Sequence, residues 1–217
     1  MLLQDKVVIV SGIGPGLGQE LSTLAAKEGA AAVVMAARTP AKLDTAEAEI
    51  RELGLDTPVL KVPTDISDAA QCAALAERAV AEFGRIDVLF NSAYDPGAFE
   101  PIESADLDGW RRAMNVNFFG TMQLTQACVP GMKAAGGGAI VMIATMVEHK
   151  PLATQGGYGA SKSALRSATK HLALELGQYN IRVNSAHMGW MWGPAVEGYF
   201  AWQAQDTGRT IEELKAE

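Results

Sequence analysis

The stretch KVVIVSGIGPGLGQELSTLAAKEG, residues 6–29, joins an apolar run to a helical run through a glycine-rich turn. Residues 6–10 are apolar without polar alternation, which predicts a strand buried on both faces. In the turn, Gly12 permits a tight bend, Gly16 lets the backbone approach a phosphate, and Gly18 lets the helix pack closely on the strand. The N-terminus of the helix would offer free N–H groups to an anion. The stretch therefore predicts a strand-turn-helix unit that binds phosphate.

The same alternation of strand and helix continues along the chain. Further apolar runs predict strands at 33–37, 58–62, 86–90, 139–144 and 181–186, and helical periodicity predicts helices at 17–28, 40–53, 67–83, 106–135 and 159–178. Buried strands alternating with helices predict an α/β fold, a single Rossmann-type doubly wound parallel sheet sandwiched by helices. We interpret residues 1–217 as one domain, whose ligands bind beyond the carboxyl ends of the strands.

Composition limits the class of partner. The 217 residues carry a net charge of -7, which disfavours nucleic acid and anionic membrane and favours a small molecule. The start of the chain has no basic region or cleavage site, so we expect a cytoplasmic protein. Cys72 and Cys128 lie in helical patterns without metal-ligand spacing, which predicts buried free thiols and no metal site.

The spacing Ser11-Gly12-x3-Gly16-x-Gly18 resembles the turn of the short-chain dehydrogenase/reductase family. The resemblance implies a nicotinamide dinucleotide cofactor. Members that prefer NAD usually have an acidic residue where this chain has Ala37, and Arg38 follows it. A guanidinium pairs well with a 2′-phosphate, which favours NADP(H), with NAD(H) as the alternative.

The resemblance extends to the turns after the third and fourth strands. Asp65 matches an aspartate that contacts adenine, although it could instead cap the next helix, a role that suits Ser67 better. Tyr94 places a large side chain beside the expected nicotinamide pocket. The resemblance implies the cofactor-binding set Ser11, Gly12, Gly16, Leu17, Gly18, Arg38, Asp65, Ile66, Asn91, Ala93, Tyr158, Lys162 and Gly189.

The segment GGYGASK, residues 156–162, places Tyr158 four residues before Lys162. This spacing alone is also typical of a surface pair on a helix. The resemblance makes Tyr158 the proton donor and acceptor, with Lys162 lowering the pKa of the tyrosine and holding the nicotinamide ribose. It further implies that Thr145 orients the substrate oxygen and that Asn117 anchors a water for proton relay.

The segment MGWMWGPAVEGYFAW, residues 188–202, is rich in aromatic side chains. The resemblance places a substrate lid at 188–217, and we expect Tyr94, Met146, Trp190 and Trp192 to contact a small hydrophobic alcohol or ketone. The alternative is that the aromatic residues only pack short helices against the core or a partner subunit. For His149 and His187, loop or packing roles are preferred over substrate contact.

Three functions remain open from the sequence. The first is an NADP(H)- or NAD(H)-dependent oxidoreductase of hydrophobic secondary alcohols and ketones, and the second is a 3-oxoacyl-carrier-protein reductase. The third is a non-catalytic NADP(H)-sensing protein, which departures from the family pattern at Thr145, Met188 and Gly193 would fit. Family members commonly form homodimers or homotetramers through their two long helices, and they end with a seventh strand that this sequence lacks.

Overall fold

The computed structural model describes residues 1–215 and contains one six-stranded sheet. Every pair of neighbouring strands is parallel, and their order is β3-β2-β1-β4-β5-β6. Each predicted strand is confirmed, with ends that shift by at most two residues. The strands are β1 (Val7–Ser11), β2 (Ala32–Ala37), β3 (Val59–Pro63), β4 (Val88–Asn91), β5 (Gly138–Thr145) and β6 (Ile181–Met188). The doubly wound parallel fold is thus confirmed.

Helices cover both faces of this sheet. They are α1 (Leu17–Lys27), α2 (Pro40–Glu52), α3 (Ala69–Phe83), α4 (Leu107–Met114), α5 (Thr121–Ala134), α6 (Gly156–Leu176), α7 (Pro194–Thr207) and α8 (Ile211–Lys215). Successive strand residues point to opposite faces, so Ile9 packs in one core while Val8 and Val10 pack in the other. Burial of the strands on both faces explains why their sequences show no polar alternation.

Two local expectations were wrong. The predicted helix 106–135 is interrupted by a π-helical segment at Asn115–Gly120, so α4 and α5 are separate elements. The cap of α3 is Asp68 rather than Ser67, because the Asp68 carboxylate accepts hydrogen bonds from the backbone N–H groups of Ala70 and Gln71. π-helical turns occur frequently at functional sites, and this one carries Asn117.

The two thiols are free and buried, as expected. Cys72 and Cys128 both lie in the core between the sheet and the α3 and α5 helices. Burial raises the pKa of Cys72 to about 11 and that of Cys128 to about 12, so both remain protonated and unreactive at neutral pH.

The order of the strands reverses between β1 and β4, and the loops after these two strands diverge to opposite sides of the sheet. The carboxyl ends of the strands meet at that point. Residues 1–215 contain no seventh strand next to β6. None of the helices in this range combines the length and apolar character needed to span a bilayer.

Candidate active site

A cleft of about 1240 Å³ opens at the carboxyl ends of the strands. Small-molecule pockets usually measure about 300–1,000 Å³, so the cleft has room for two ligands side by side. Residues that follow each of the six strands line it. The glycine turn lies at one end, and the aromatic residues of the C-terminal segment lie at the other.

The glycine turn is tightly packed except where it faces the cleft. A Cβ atom at Gly18 would lie 2.2 Å from the Gly12 carbonyl oxygen, and one at Gly12 would lie 2.3 Å from the Ala93 nitrogen. A Cβ at Gly16, whose φ is 115°, would meet nothing within 4 Å. Gly16 also begins α1 without a side-chain cap. Bare N–H groups and free space at a helix N-terminus fit a phosphate of a dinucleotide.

Two exposed cations face the cleft beside this turn. Arg38 follows β2, and Lys42 lies one helical turn further along, in the first turn of α2. The Lys42 ammonium lies 3.7 Å from the position of a Cβ at Gly14. Sequence reasoning missed Lys42, although its spacing of four residues from Arg38 was a readable signal. Together the two residues form a positive site next to Ala37, which carries no charge.

Other predicted cofactor residues fall into two groups. Leu17, Asp65, Ile66, Ala93 and Gly189 line the cleft. The Asp65 carboxylate accepts hydrogen bonds from the backbone and the hydroxyl of Ser67, which fix its orientation.

Ser11 and Asn91 do not line the cleft and lie buried behind it. The reason is that both end paired strands, where neighbouring backbone covers them. The Asn91 amide donates to the Thr125 hydroxyl at 3.0 Å, so it joins β4 to α5 rather than reaching a ligand.

Tyr158, Lys162 and Thr145 meet on the floor of the cleft. Tyr158 and Lys162 share one face of α6, and Thr145 ends β5 opposite them. Helix α6 begins with Gly156 and Gly157 because a Cβ at either position would lie within 2.8 Å of the Trp110 ring. These glycines therefore let the start of α6, with Tyr158, pack directly against α4.

Burial determines the protonation of Tyr158 and Lys162 in this cluster. Burial raises the pKa of Tyr158, and the neighbouring Thr145 side chain offsets part of this rise. The Lys162 ammonium donates to the Ile143 carbonyl at 2.7 Å, and its effect on the pKa of the tyrosine stays a prediction. Burial also lowers the pKa of Lys162 to about 8.

Asn117 lies outside the cleft and is fully buried. Its side-chain oxygen accepts from the Asp95 nitrogen at 2.7 Å, and its amide donates to the Asp95 carbonyl and to the Ser161 hydroxyl. The side chain therefore ties the loop after β4 to α6. Its side-chain polar atoms hold protein groups, and the role of anchoring a water stays a prediction.

Six aromatic residues, here named the aromatic wall, line the cleft next to Tyr158: Tyr94, Phe99, Trp190, Trp192, Tyr199 and Trp202. Tyr94 meets the Tyr158 ring edge-on at 6.4 Å, and Trp190 stacks on Tyr199 at 5.1 Å. The expected substrate residue Met146 also lines the cleft.

Phe200 lies behind the wall, only 4% exposed, so one aromatic residue of this segment does pack into the interior. Of the predicted lid 188–217, residues 216 and 217 lie outside the described residues. His149 and His187 do not line the cleft. Their rings lie 5.2 Å apart, with His149 just after the turn that follows β5 and His187 on β6.

Comparisons with known proteins agree with this geometry. Residues 6–204 match the short chain dehydrogenase family. Levodione reductase from Leifsonia aquatica is 32% identical over 193 residues, which cover 89% of this chain and 72% of that protein. Trans-4-hydroxycyclohexanecarboxylate dehydrogenase from Sinomonas cyclohexanicum is 34% identical, with coverage of 89% and 75%. The structure of an NAD+-bound xylitol dehydrogenase is similar with a TM-score of 0.88 at 30% identity, covering 94% of this chain and 78% of that one.

Proposed function

The chain belongs to the short chain dehydrogenase family of oxidoreductases, which act on CH–OH groups, and we propose that its substrate is a hydrophobic secondary alcohol or the corresponding ketone. The observation that carries this proposal is the position of Tyr158. Its phenol lies beside the Thr145 hydroxyl on the floor of a cleft whose adjoining wall is aromatic.

We propose NADP(H) as the preferred cofactor. Arg38 and Lys42 supply two positive charges where a 2′-phosphate would lie, and Ala37 supplies no carboxylate to repel it. The glycine turn would hold the pyrophosphate at the N-terminus of α1. When bound, the nicotinamide supplies or accepts the hydride.

The side chains of the chain itself would manage the proton and the orientation of the substrate. Thr145 has a hydroxyl that can hydrogen-bond the reacting oxygen, and Tyr158 can give a proton to a ketone or take one from an alcohol. Because burial raises the pKa of Tyr158, the phenol is protonated at neutral pH and suited to ketone reduction. Lys162 would help to hold the cofactor and to balance charge beneath Tyr158.

The lining residues favour a neutral, ring-shaped substrate. Among the described lining residues, the basic ones are Arg38, Lys42 and Lys162, and the first two lie at the glycine-turn end. The aromatic wall therefore offers mainly apolar faces to a ligand, and the cation that lies against it, Lys215, packs over the Trp192 ring at 3.9 Å outside the cleft lining. One relative is named for a cyclohexane derivative, which is consistent with an alicyclic substrate here. A carrier-protein substrate is disfavoured because residues 188–202 contain no lysine or arginine.

A non-catalytic cofactor-binding protein is the second candidate. It is favoured by the hydrogen bond between Lys162 and Ile143, which turns the ammonium toward the backbone. One experiment distinguishes the oxidoreductase from the binding protein. The reduction of NADP+ and of NAD+ is measured with each member of a panel of hydrophobic secondary alcohols. Turnover of an alicyclic alcohol with NADP+ supports the oxidoreductase. Tight NADPH binding without turnover of any alcohol or ketone would support the binding protein.

We also propose a homodimer or homotetramer that forms through the long helices. Phe119, in the π-helical segment before α5, is 52% exposed, and Leu174 on α6 is 83% exposed. Large apolar side chains at the surface often mark a contact with another subunit. Sedimentation velocity of the protein measures the oligomeric state.

A further inference from the structure

Glu148 lies directly behind Thr145 and belongs to no part of the cleft lining. It ends the short 3-10 turn Met146–Glu148 that follows β5. Its side chain is 0% exposed, yet it carries a carboxylate. Burial of a carboxylate is costly unless its oxygens are paired, so the partners of this one identify its role.

One oxygen of Glu148 holds the backbone of Thr145. Glu148 Oε1 accepts a hydrogen bond from the Thr145 nitrogen at 3.3 Å, while Thr145 Oγ1 accepts one from the Val147 nitrogen at 3.3 Å. These two bonds form a reciprocal capping box. They fix the residue whose hydroxyl lies next to Tyr158 in the cleft.

The other oxygen accepts no hydrogen bond from the described residues but forms an ion pair with the helix that carries Tyr158. Glu148 Oε2 lies 3.1 Å from Nε of Arg166 on α6. Arg166 follows Lys162 by four residues and Tyr158 by eight, so the three side chains share one stripe of the helix. Glu148 thus joins the end of β5 to the same stripe of α6. Burial is the main cause of both pKa shifts, and the negative charge of Glu148 adds to the rise at Tyr158 and opposes the fall at Lys162.

The two histidines complete the surroundings of this carboxylate. His187 Nδ1 on β6 lies 3.9 Å from Glu148 Oε2, and Glu148, His149 and His187 offer ligand atoms within 4.8 Å of one another. Such a set could hold a metal ion, but the Arg166 guanidinium already lies against the same carboxylate oxygen. A divalent cation would have to displace that charge, which favours a positioning role for Glu148 over a metal site.

We infer that Glu148 is a positioning residue that holds Thr145 against Tyr158 and sets the negative charge felt by the Tyr158–Lys162 pair. The effect of Glu148 on turnover, through the position of Thr145, rests on the proposed oxidoreductase function. The effect of the Glu148 charge on Lys162 is independent of that function, because the protonation of Lys162 is measurable without any substrate.

The first test is a titration of Lys162 by NMR of lysine labelled with ¹³C at Cε, with the signal assigned by Lys162→Met. Glu148→Gln keeps the shape and an acceptor for the Thr145 nitrogen but removes the charge. We expect its Lys162 midpoint to fall below the wild-type value by roughly half a pH unit or more. Glu47→Gln, which removes a carboxylate paired with Lys61 and Arg51, is the matched control and should leave the midpoint unchanged. An unchanged or higher midpoint in Glu148→Gln would overturn the inference.

The second test is a double-mutant cycle with Thr145→Ala, Glu148→Ala and the combined variant, measured as kcat for ketone reduction. Each single variant should lose about tenfold or more, because misplacement of a reacting group is costly. If Glu148 acts through Thr145, the combined variant should be no more than about twofold slower than Thr145→Ala. If the losses of kcat in the two single variants multiply in the combined variant, Glu148 does not act through Thr145. If the wild-type protein shows no turnover, the proposed oxidoreductase function is refuted instead. The titration of Lys162 then tests the charge effect of Glu148 by itself.

Discussion

The Lys162 ammonium lies 5.9 Å from the centre of the Tyr158 ring and donates its hydrogen bond to the Ile143 carbonyl rather than to the phenol. The phenol lies close to the Thr145 hydroxyl, which partly offsets the rise in its pKa that burial causes. In the proposed reaction Tyr158 is therefore the group that exchanges the proton with the substrate, and Lys162 acts from beneath it.

Removal of the phenol oxygen should abolish most of the activity. For Tyr158→Phe we expect kcat to fall at least about a hundredfold, the lower range for the loss of a general acid. NADPH affinity, measured by cofactor fluorescence, should change little because the ring remains. Tyr179→Phe is the control, since that ring lies under Lys133, away from the cleft. Near-normal turnover by Tyr158→Phe would show that Tyr158 is not the acid.

The two cations at the glycine turn should determine cofactor preference. Arg38→Ala and Lys42→Ala should each weaken NADP+ binding by roughly tenfold or more, since a hydrogen bond to a charged group contributes about 1.5–3 kcal/mol. Binding of NAD+, which lacks the 2′-phosphate, should change much less. Calorimetric titrations of both cofactors measure this, with Lys27→Ala on α1 as an exposed control. Equal losses for the two cofactors would contradict the assignment.

The buried ammonium should cost stability. Lys162 is 2% exposed, so Lys162→Met should raise the melting temperature at pH 7 by about 2–8 °C while it impairs activity. The pKa of Lys162 is lowered to about 8 from an ordinary value of 10.5, so the unfolded chain binds more protons between these values. The stability of the wild-type protein should therefore rise with pH between these two pKa values. The difference in melting temperature between Lys162→Met and the wild-type protein should become smaller over the same range.

Lys170→Met provides the control for this effect, because Lys170 lies exposed on the same helix. Its melting temperature should follow that of the wild-type protein at every pH. If Lys162→Met raises the melting temperature by the same amount at pH 7 and pH 10, the burial of charge is not the cause of that rise.

The aromatic wall should contribute to substrate affinity more than to rate. Trp190 is 44% exposed and stacks on Tyr199, so it can still bury surface against a ligand. For Trp190→Ala we expect KM for an alicyclic ketone to rise roughly tenfold with little change in kcat, as for the loss of about 1.5 kcal/mol of apolar contact. Leu53→Ala, a half-exposed apolar residue at the end of α2, serves as the control. An unchanged KM would place the substrate elsewhere in the cleft.

The sheet could be predicted from the sequence because its strands are buried on both faces and are separated by helices of clear period. The glycine turn could also be predicted, since Gly12 and Gly18 leave no room for a Cβ atom and Gly16 has a positive φ of 115°. The π-helical segment around Asn117 was not, because its apolar spacing is close to that of an α-helix and only the fold shows the altered hydrogen bonds.

The candidate site was predicted less completely than the fold. Tyr158, Lys162 and Thr145 do meet, but the direction of the tyrosine pKa depends on burial and on where the lysine points, which sequence spacing does not give. For Lys42 and Glu148, the local sequence contains a spacing that could have identified each residue. Lys42 follows Arg38 by one turn, and Thr145-x-x-Glu148 has the spacing of a capping box. The partnership of Glu148 with Arg166 required the fold.

The two ends of the cleft come from different parts of the chain. The glycine turn, Arg38, Lys42 and Asp65 all precede residue 94, whereas the aromatic wall is formed entirely from residue 94 onward. Substitutions that reshape the wall therefore leave the other end of the cleft untouched. Evolution or protein engineering can therefore exchange the preferred substrate of such a chain by changing the wall residues, while the phosphate-binding turn and its two cations stay as they are.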